Sequence, residues 1–208
     1  AHLGNLMLPG AEDLATLDDY RIWNLETLEG TGYFDTTDYL RPTSDIVALL
    51  VLEHQITVQN QISYFRFKAP AYLARQGLGD LARADSWDEF PRPVQATLAR
   101  LLDRLVRALL LVDAAELASP VSGSQAFAES FAVRGIRDDL GRSLRDLDLR
   151  GRLFRYPLSY LIHSDDFASL PGYAKDYVYR RLSAYLGGDD IYDGQSQYSK
   201  QDRKAALQ

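Results

Sequence analysis

Cysteine is absent from the 208 residues. Disulfides, thiolate metal sites, a cysteine nucleophile and covalent haem attachment are therefore excluded within this chain. A basic excess is also missing. The formal net charge is −6, which argues against a broad nucleic-acid-binding surface, because counterion release needs positive charge. No apolar run reaches bilayer-spanning length, since Ile46 to Leu52 is followed at once by Glu53, His54 and Gln55. Ala1-His2-Leu3-Gly4-Asn5 offers neither an initiator methionine nor a charged-then-apolar signal segment, so the expectation is a fragment of a longer protein. Catalytic signatures are lacking too. There is no Gly-x-Ser-x-Gly elbow, and no HExxH or ExxH pattern for a zincin or a bundled di-iron site. Gly77-Leu78-Gly79 is neither a Walker loop nor a dinucleotide fingerprint. No internal repeat is found.

What remains is ordinary globular composition, 46% hydrophobic and 25% charged, enough to bury a sizeable core. Residues 1–42 carry turn formers at Gly4-Asn5, Pro9-Gly10, Gly30-Thr31-Gly32 and Arg41-Pro42. They read as an extended arm, with room for a short strand between Leu25 and Phe34. Residues 43–208 read as one all-α domain with short connections. Its first helix opens at Thr43-Ser44-Asp45 and runs from Ile46 to about Lys68, with Pro70 as its stop. Apolar residues on nearly every face up to Leu52 predict a central helix. A second helix is expected from about Pro93 to Ala115, where Val94, Leu98, Leu101, Leu102, Leu105, Leu109 and Val112 recur at helical steps. Asp103 and Arg107 lie one turn apart on its solvated side and are expected to pair.

Further elements follow a loop at 119–124. They are a short helix from Gln125 to Ala132, a helix through Leu153 to Ile162 broken by Pro157, and one from Leu170 to Leu186 stopped by Gly187-Gly188. Ser199-Lys200-Gln201-Asp202 looks like a capping box that opens a last helix.

Three histidines allow each to be weighed. His54 sits in the first helix, one turn from Leu50 and Val58, flanked by Glu53 and Gln55, with Gln61 two turns on. A neutral imidazole there has two readings: a ligand for a metal or haem iron, or a buried histidine satisfied by a neighbouring carboxylate or amide. His163 ends the Tyr160-Leu161-Ile162 run and suits a helix C-terminus. His2 stands at the chain start. The stretch 134–155 interleaves Arg134, Arg137, Arg142, Arg145, Arg150, Arg152 and Arg155 with Asp138, Asp139, Asp146 and Asp148. Arginine forks there are either members of an internal ion-pair lattice, the simpler reading, or holders of a propionate or anionic substrate. The 13 tyrosines read as core packers with polar tips.

Several runs carry a family resemblance. They are His2-x-Gly4-Asn5, Phe34-Asp35-Thr36, Tyr39-Leu40-x-Pro42-x-Ser44-Asp45-Ile46-Val47-Ala48-Leu49, Val51-Leu52-Glu53-His54-Gln55 and Gly141-Arg142-Ser143-Leu144-Arg145-Asp146. Arg152-Leu153-Phe154-Arg155-Tyr156-Pro157, Ser159-Tyr160, Phe167 with Leu170-Pro171, Tyr179-Arg180-Arg181-Leu182 and Asp202-Arg203-Lys204-Ala205 continue in the same order. Together they resemble the C-terminal half of an uncharacterised family of exported bacterial c-type-cytochrome-like proteins. In that family a single Cys-x-x-Cys-His haem motif lies in the N-terminal half.

The resemblance implies a periplasmic or otherwise exported redox or electron-transfer protein, whose helical part packs around a haem c attached outside this chain. It makes His54 a ligand or pocket residue, Glu53 or Gln61 its orienting partner, Arg142 and Arg145 propionate holders, and His2 a neighbour of the haem. The expected partner is the haem-bearing region or a redox protein. Relatives often have a second histidine where this chain has Gln59 and Asn60, so a paired-histidine site is not expected. The alternative is a binding or scaffold module that docks a partner complex through the arm and the tyrosine-rich end helix. A haem enzyme would need an open distal position.

Overall fold

The structure, a computed structural model, describes residues 37, 45–189, 192 and 198–207. The expected arm over 1–42, the strand between Leu25 and Phe34, and His2 lie outside these residues, Thr37 aside. Among the described residues the chain is all-α. Helix α1 spans Ile46–Arg75, α2 Arg92–Leu109, α3 Gln125–Val133, α4 Asp165–Ala168, α5 Gly172–Gly187 and α6 Lys200–Ala205. The nearest approach to a strand is one isolated antiparallel bridge, Leu147 to Phe154.

Helix α1 starts on Asp45 itself rather than on a hydroxyl. One carboxylate oxygen of Asp45 accepts from Val47 N at 2.8 Å and Ala48 N at 3.1 Å. The other accepts from Ser124 N at 2.6 Å, which ties the start of α1 to the start of α3. An acid in this place satisfies orphan amides and faces the positive end of the dipole. The helix then runs through Pro70 to Arg75 instead of stopping before it. Pro70 is exposed while Ala69 and Leu73 are fully buried. The carbonyl that Pro70 cannot bond is therefore on the wet side, and packing of the last turn outweighs a penalty of about 3 kcal/mol. Burial is also more one-sided than the apolar density predicted. Val47, Val58, Ile62 and Phe65 are in the core, whereas Leu49, Leu52, Ile56 and Phe67 are 47–73% exposed.

Helices α1, α2 and α5 end alike. The N–H groups of Leu78, Val112 and Asp189 each reach back five residues, to the carbonyls of Leu73, Arg107 and Ala184. The residue before each of these donors has positive φ: Gly77, Leu111 and Gly188. Two of the three are the glycines this cap favours, and the third is leucine. Hence α2 closes at Leu109, short of the expected Ala115.

The core joins α1, α2 and α5 with the irregular segments. Phe65, Phe90, Trp87, Tyr173 and Tyr177 interlock at one end; Phe90 and Tyr173 meet edge to face at 4.7 Å. Gly172 lets α5 touch this end, because a Cβ there would lie 2.6 Å from Asp85 Cα. The predicted helix through 153–162 is absent. Its amides are bonded elsewhere: Arg155 N donates to Asp146 O at 2.9 Å and Ser159 N to Leu109 O at 2.7 Å. Pro157 has no amide and disfavours helix at Tyr156, so only Tyr160–His163 turns, as a 3-10 helix. The capping box of α6 forms as expected between Ser199 and Asp202.

Replacing Pro70 by alanine should restore a hydrogen bond without touching the core. Stability measured by urea unfolding is expected to rise by about 1–2 kcal/mol, less than the full helix-interior penalty because the unfolded chain also gains freedom.

Candidate functional site

A cavity of about 480 Å³ opens between α1, the end of α2 and the turn that carries Phe154. Leu50, Ala108, Leu111, Leu117, Leu153 and Phe154 supply apolar walls, while Glu53, His54, Thr57, Gln61 and Arg104 bring polar groups from the two helices. Its size and mixture are those of small-molecule sites. Of the residues expected from sequence, Glu53, its neighbour His54, and Gln61 two turns on along α1 all line this cavity.

His54 is half-buried. Its Nε2 lies 2.7 Å from Ser159 Oγ, and its ring packs edge to face on Phe154 at 5.1 Å. Ser159 is fully buried. Its Oγ accepts from Leu161 N at 3.2 Å, so the hydroxyl proton is best placed on His54. Nε2 then accepts, and the neutral imidazole carries its proton on Nδ1. Loss of water around the ring pushes its pKa down from 6.5 to about 4. Histidine satisfaction was expected from a carboxylate or amide; a serine from beyond Pro157 provides it. The Ser–His spacing suits proton transfer, but a serine without access, facing a weakened base, is no nucleophile.

A haem or metal can be tested against these groups. As an iron ligand His54 would have to offer Nδ1, because Nε2 is engaged by Ser159. Among the described residues no three His, Asp or Glu side chains gather to hold a metal ion. As a wall for the edge of a flat apolar cofactor the cavity fits, with Phe154 and Leu111 to face the ring and Arg104 at the rim for an acid. Arg104 has no ion pair among the described residues and lies over the Tyr64 ring at 5.7 Å.

The other expected residues sit elsewhere. Arg142 is held by Asp138 at 2.6 Å, a member of the ion-pair lattice, as are Arg137 with Asp146 and Arg152 with Asp148 and Asp202. Arg145 lies against Tyr160 and Phe131, behind the cavity wall. The expected pair of Asp103 with Arg107 does not form. Arg107 Nε donates to Asp113 at 2.8 Å at the cavity mouth, and Asp103 accepts from the Tyr177 hydroxyl at 2.8 Å.

Sequence reasoning missed Ser159, Arg104 and Leu111. The first two carry no local signal. Leu111 hides because a leucine at a positive-φ cap looks like continued helix. Comparison with protein-family models, curated proteins and solved structures finds nothing that matches this chain.

Two measurements probe the site. The unfolded imidazole, near 6.5, binds protons more readily than the folded one, near 4. Acid therefore favours unfolding, and up to about 3 kcal/mol present above pH 6.5 should fade as pH falls towards 4. His54→Gln should flatten that pH dependence in urea titrations, and equal slopes would refute it. Leu111→Gly should relieve backbone strain of about 1 kcal/mol yet lose roughly 2–3 kcal/mol of burial. Net destabilisation of about 1–2 kcal/mol by thermal unfolding is expected.

Proposed function

We propose that this chain is a non-catalytic binding module built around the α1–α2 cavity. Within a haem-linked, exported electron-transfer protein, the cavity would receive the apolar, acid-bearing edge of a haem carried outside these residues. The observation that carries the binding role is the cavity itself: about 480 Å³, with apolar walls and polar groups brought in by both α1 and α2. The resemblance over residues 2–205 supports the haem and the export. Against catalysis within this chain stands the site chemistry: the serine has no access, and the histidine is a weak base. His54 acts as a wall residue, held in one tautomer by Ser159, rather than as the iron ligand.

Electron transfer asks little more of such a module. It must exclude water from the cofactor edge, fix its position and surround it with a low dielectric, because burial and nearby charge tune potential. Leu50, Leu111, Leu153 and Phe154 would exclude water, and Arg104 would hold an acid of the cofactor at the rim.

The test uses the longer native protein. His54→Ala should leave the haem absorption bands unchanged, while Ala108→Trp, which fills the cavity from α2, should shift the reduction potential. Bands altered by His54→Ala, with no effect of Ala108→Trp, would reverse these roles. A native protein without haem would sink the electron-transfer reading and leave the cavity to another apolar ligand.

A further inference from the structure

A second cavity, of about 180 Å³, opens on the other side of Tyr160, between the end of α3, the turn at 143–145 and the 3-10 helix Tyr160–His163. Every ionisable side chain with a basic function in its lining is a nitrogen donor: Arg134, Arg145 and His163. No aspartate or glutamate lines it. In a segment where arginine and aspartate alternate, that is a selective arrangement. Arg137, Arg142 and Arg152 each have a carboxylate partner, whereas Arg134 and Arg145, like Arg150 and Arg155 outside the cavity, show no ion pair among the described residues. Two acids of the same segment are engaged by other groups. Asp138 accepts from Arg142, and Asp146 accepts from Ser143 N at 2.9 Å while pairing with Arg137.

Arg145 is the centre of the arrangement. Its guanidinium lies 4.4 Å from the Tyr160 ring and 4.9 Å from the Phe131 ring. Cation–π contacts hold the plane of the fork without consuming its N–H donors. Below it, Ser143 is 4% exposed. Its hydroxyl accepts from Arg145 N at 3.2 Å and keeps its own proton to donate. Gly135 makes room for that hydroxyl: a Cβ there would stand 2.0 Å from Ser143 Oγ. Ser164 is only wall, since its Oγ already donates to Leu161 O and accepts from Phe167 N.

We propose that this cavity is an anion site that binds the phosphate group of a small molecule. Two arginine forks, an imidazole and a buried hydroxyl, with no opposing acid, match a group of charge near −2 with several acceptor oxygens. The volume takes a phosphate head and leaves its substituent at the mouth. The site is independent of the haem reading, because it shares no hydrogen-bonding group with the α1–α2 cavity.

The test is calorimetric titration at constant ionic strength with inorganic phosphate, phenyl phosphate and acetate. Both phosphates should bind, and acetate at least tenfold more weakly. Equal affinity for the two phosphates identifies the free anion as sufficient, and preference for phenyl phosphate shows that the substituent contributes at the mouth; either supports the site. Arg145→Gln should weaken phosphate at least tenfold. Arg134→Gln, an exposed change that cannot disturb the ring stack, should weaken it severalfold and keeps the test valid if Arg145→Gln does not fold. Acetate binding as well as phosphate, no heat with either phosphate, or unchanged affinity in Arg134→Gln would overturn the proposal.

Discussion

Ser159 has no exposed surface, and each of its polar groups binds a different part of the molecule. Its N–H reaches the carbonyl of Leu109, the last residue of α2. Its hydroxyl meets His54 in the first third of α1 and the amide of Leu161 in the 3-10 turn. A buried serine can be tolerated only when its donor and acceptors are satisfied, so these partners fix one another. Remove that point and three things lose their reference together: where α2 stops, which tautomer His54 adopts, and how the run from Phe154 to His163 returns to the core. The cavity lies where this connection holds the Phe154 turn against α1 while the chain bends away after α2 at Leu111.

The bend itself is a case of side-chain burial prevailing over backbone preference. A glycine at position 111 would take positive φ without cost, as Gly77 and Gly188 do at the ends of α1 and α5. Leucine is instead 5% exposed there and lines the cavity. Strain of this kind persists when surrounding packing determines the conformation, and it gathers at sites where a particular wall is needed. The closing hydrogen bonds, Leu111 N to Ala108 O and Val112 N to Arg107 O, are present as in the glycine-capped helices. Only the identity of the residue differs.

These particulars explain what the sequence made legible. Helices α1, α2, α3, α5 and α6 follow from periodicity, caps and glycine stops, because such signals are local. Their errors are local rules overruled by tertiary contact: α1 passes Pro70 because Ala69 and Leu73 are buried, and α2 stops early although no glycine marks the place. The run 147–162 was illegible for a different reason. Its backbone groups bond to Leu117, Val121, Asp146 and Leu109 across turns and between segments, and no periodicity records such partners. For the site, Glu53, His54 and Gln61 could be grouped by helical spacing alone. Ser159, 105 residues away from His54, could not. The arginines divided likewise, since alternation of sign predicts a lattice but cannot tell that Arg145 faces the Phe131 and Tyr160 rings.

Those rings connect the two cavities. Phe154 and Tyr160 both touch the His54 ring, at 5.1 and 6.2 Å between centroids. Phe131 packs edge to face on Tyr160 at 5.2 Å, and Arg145 lies over both. The aromatic cluster is thus one wall with a neutral histidine on one side and an arginine on the other. Burial raises the pKa of the Tyr160 phenol, with the positive charge of Arg145 opposing. Packed rings have few alternative arrangements, because interiors are as dense as organic crystals. A group that fills either cavity therefore stiffens the same wall. Any exchange between the sites would pass through the positions of Phe154 and Tyr160 rather than through charge, since the groups facing the larger cavity from this wall are neutral.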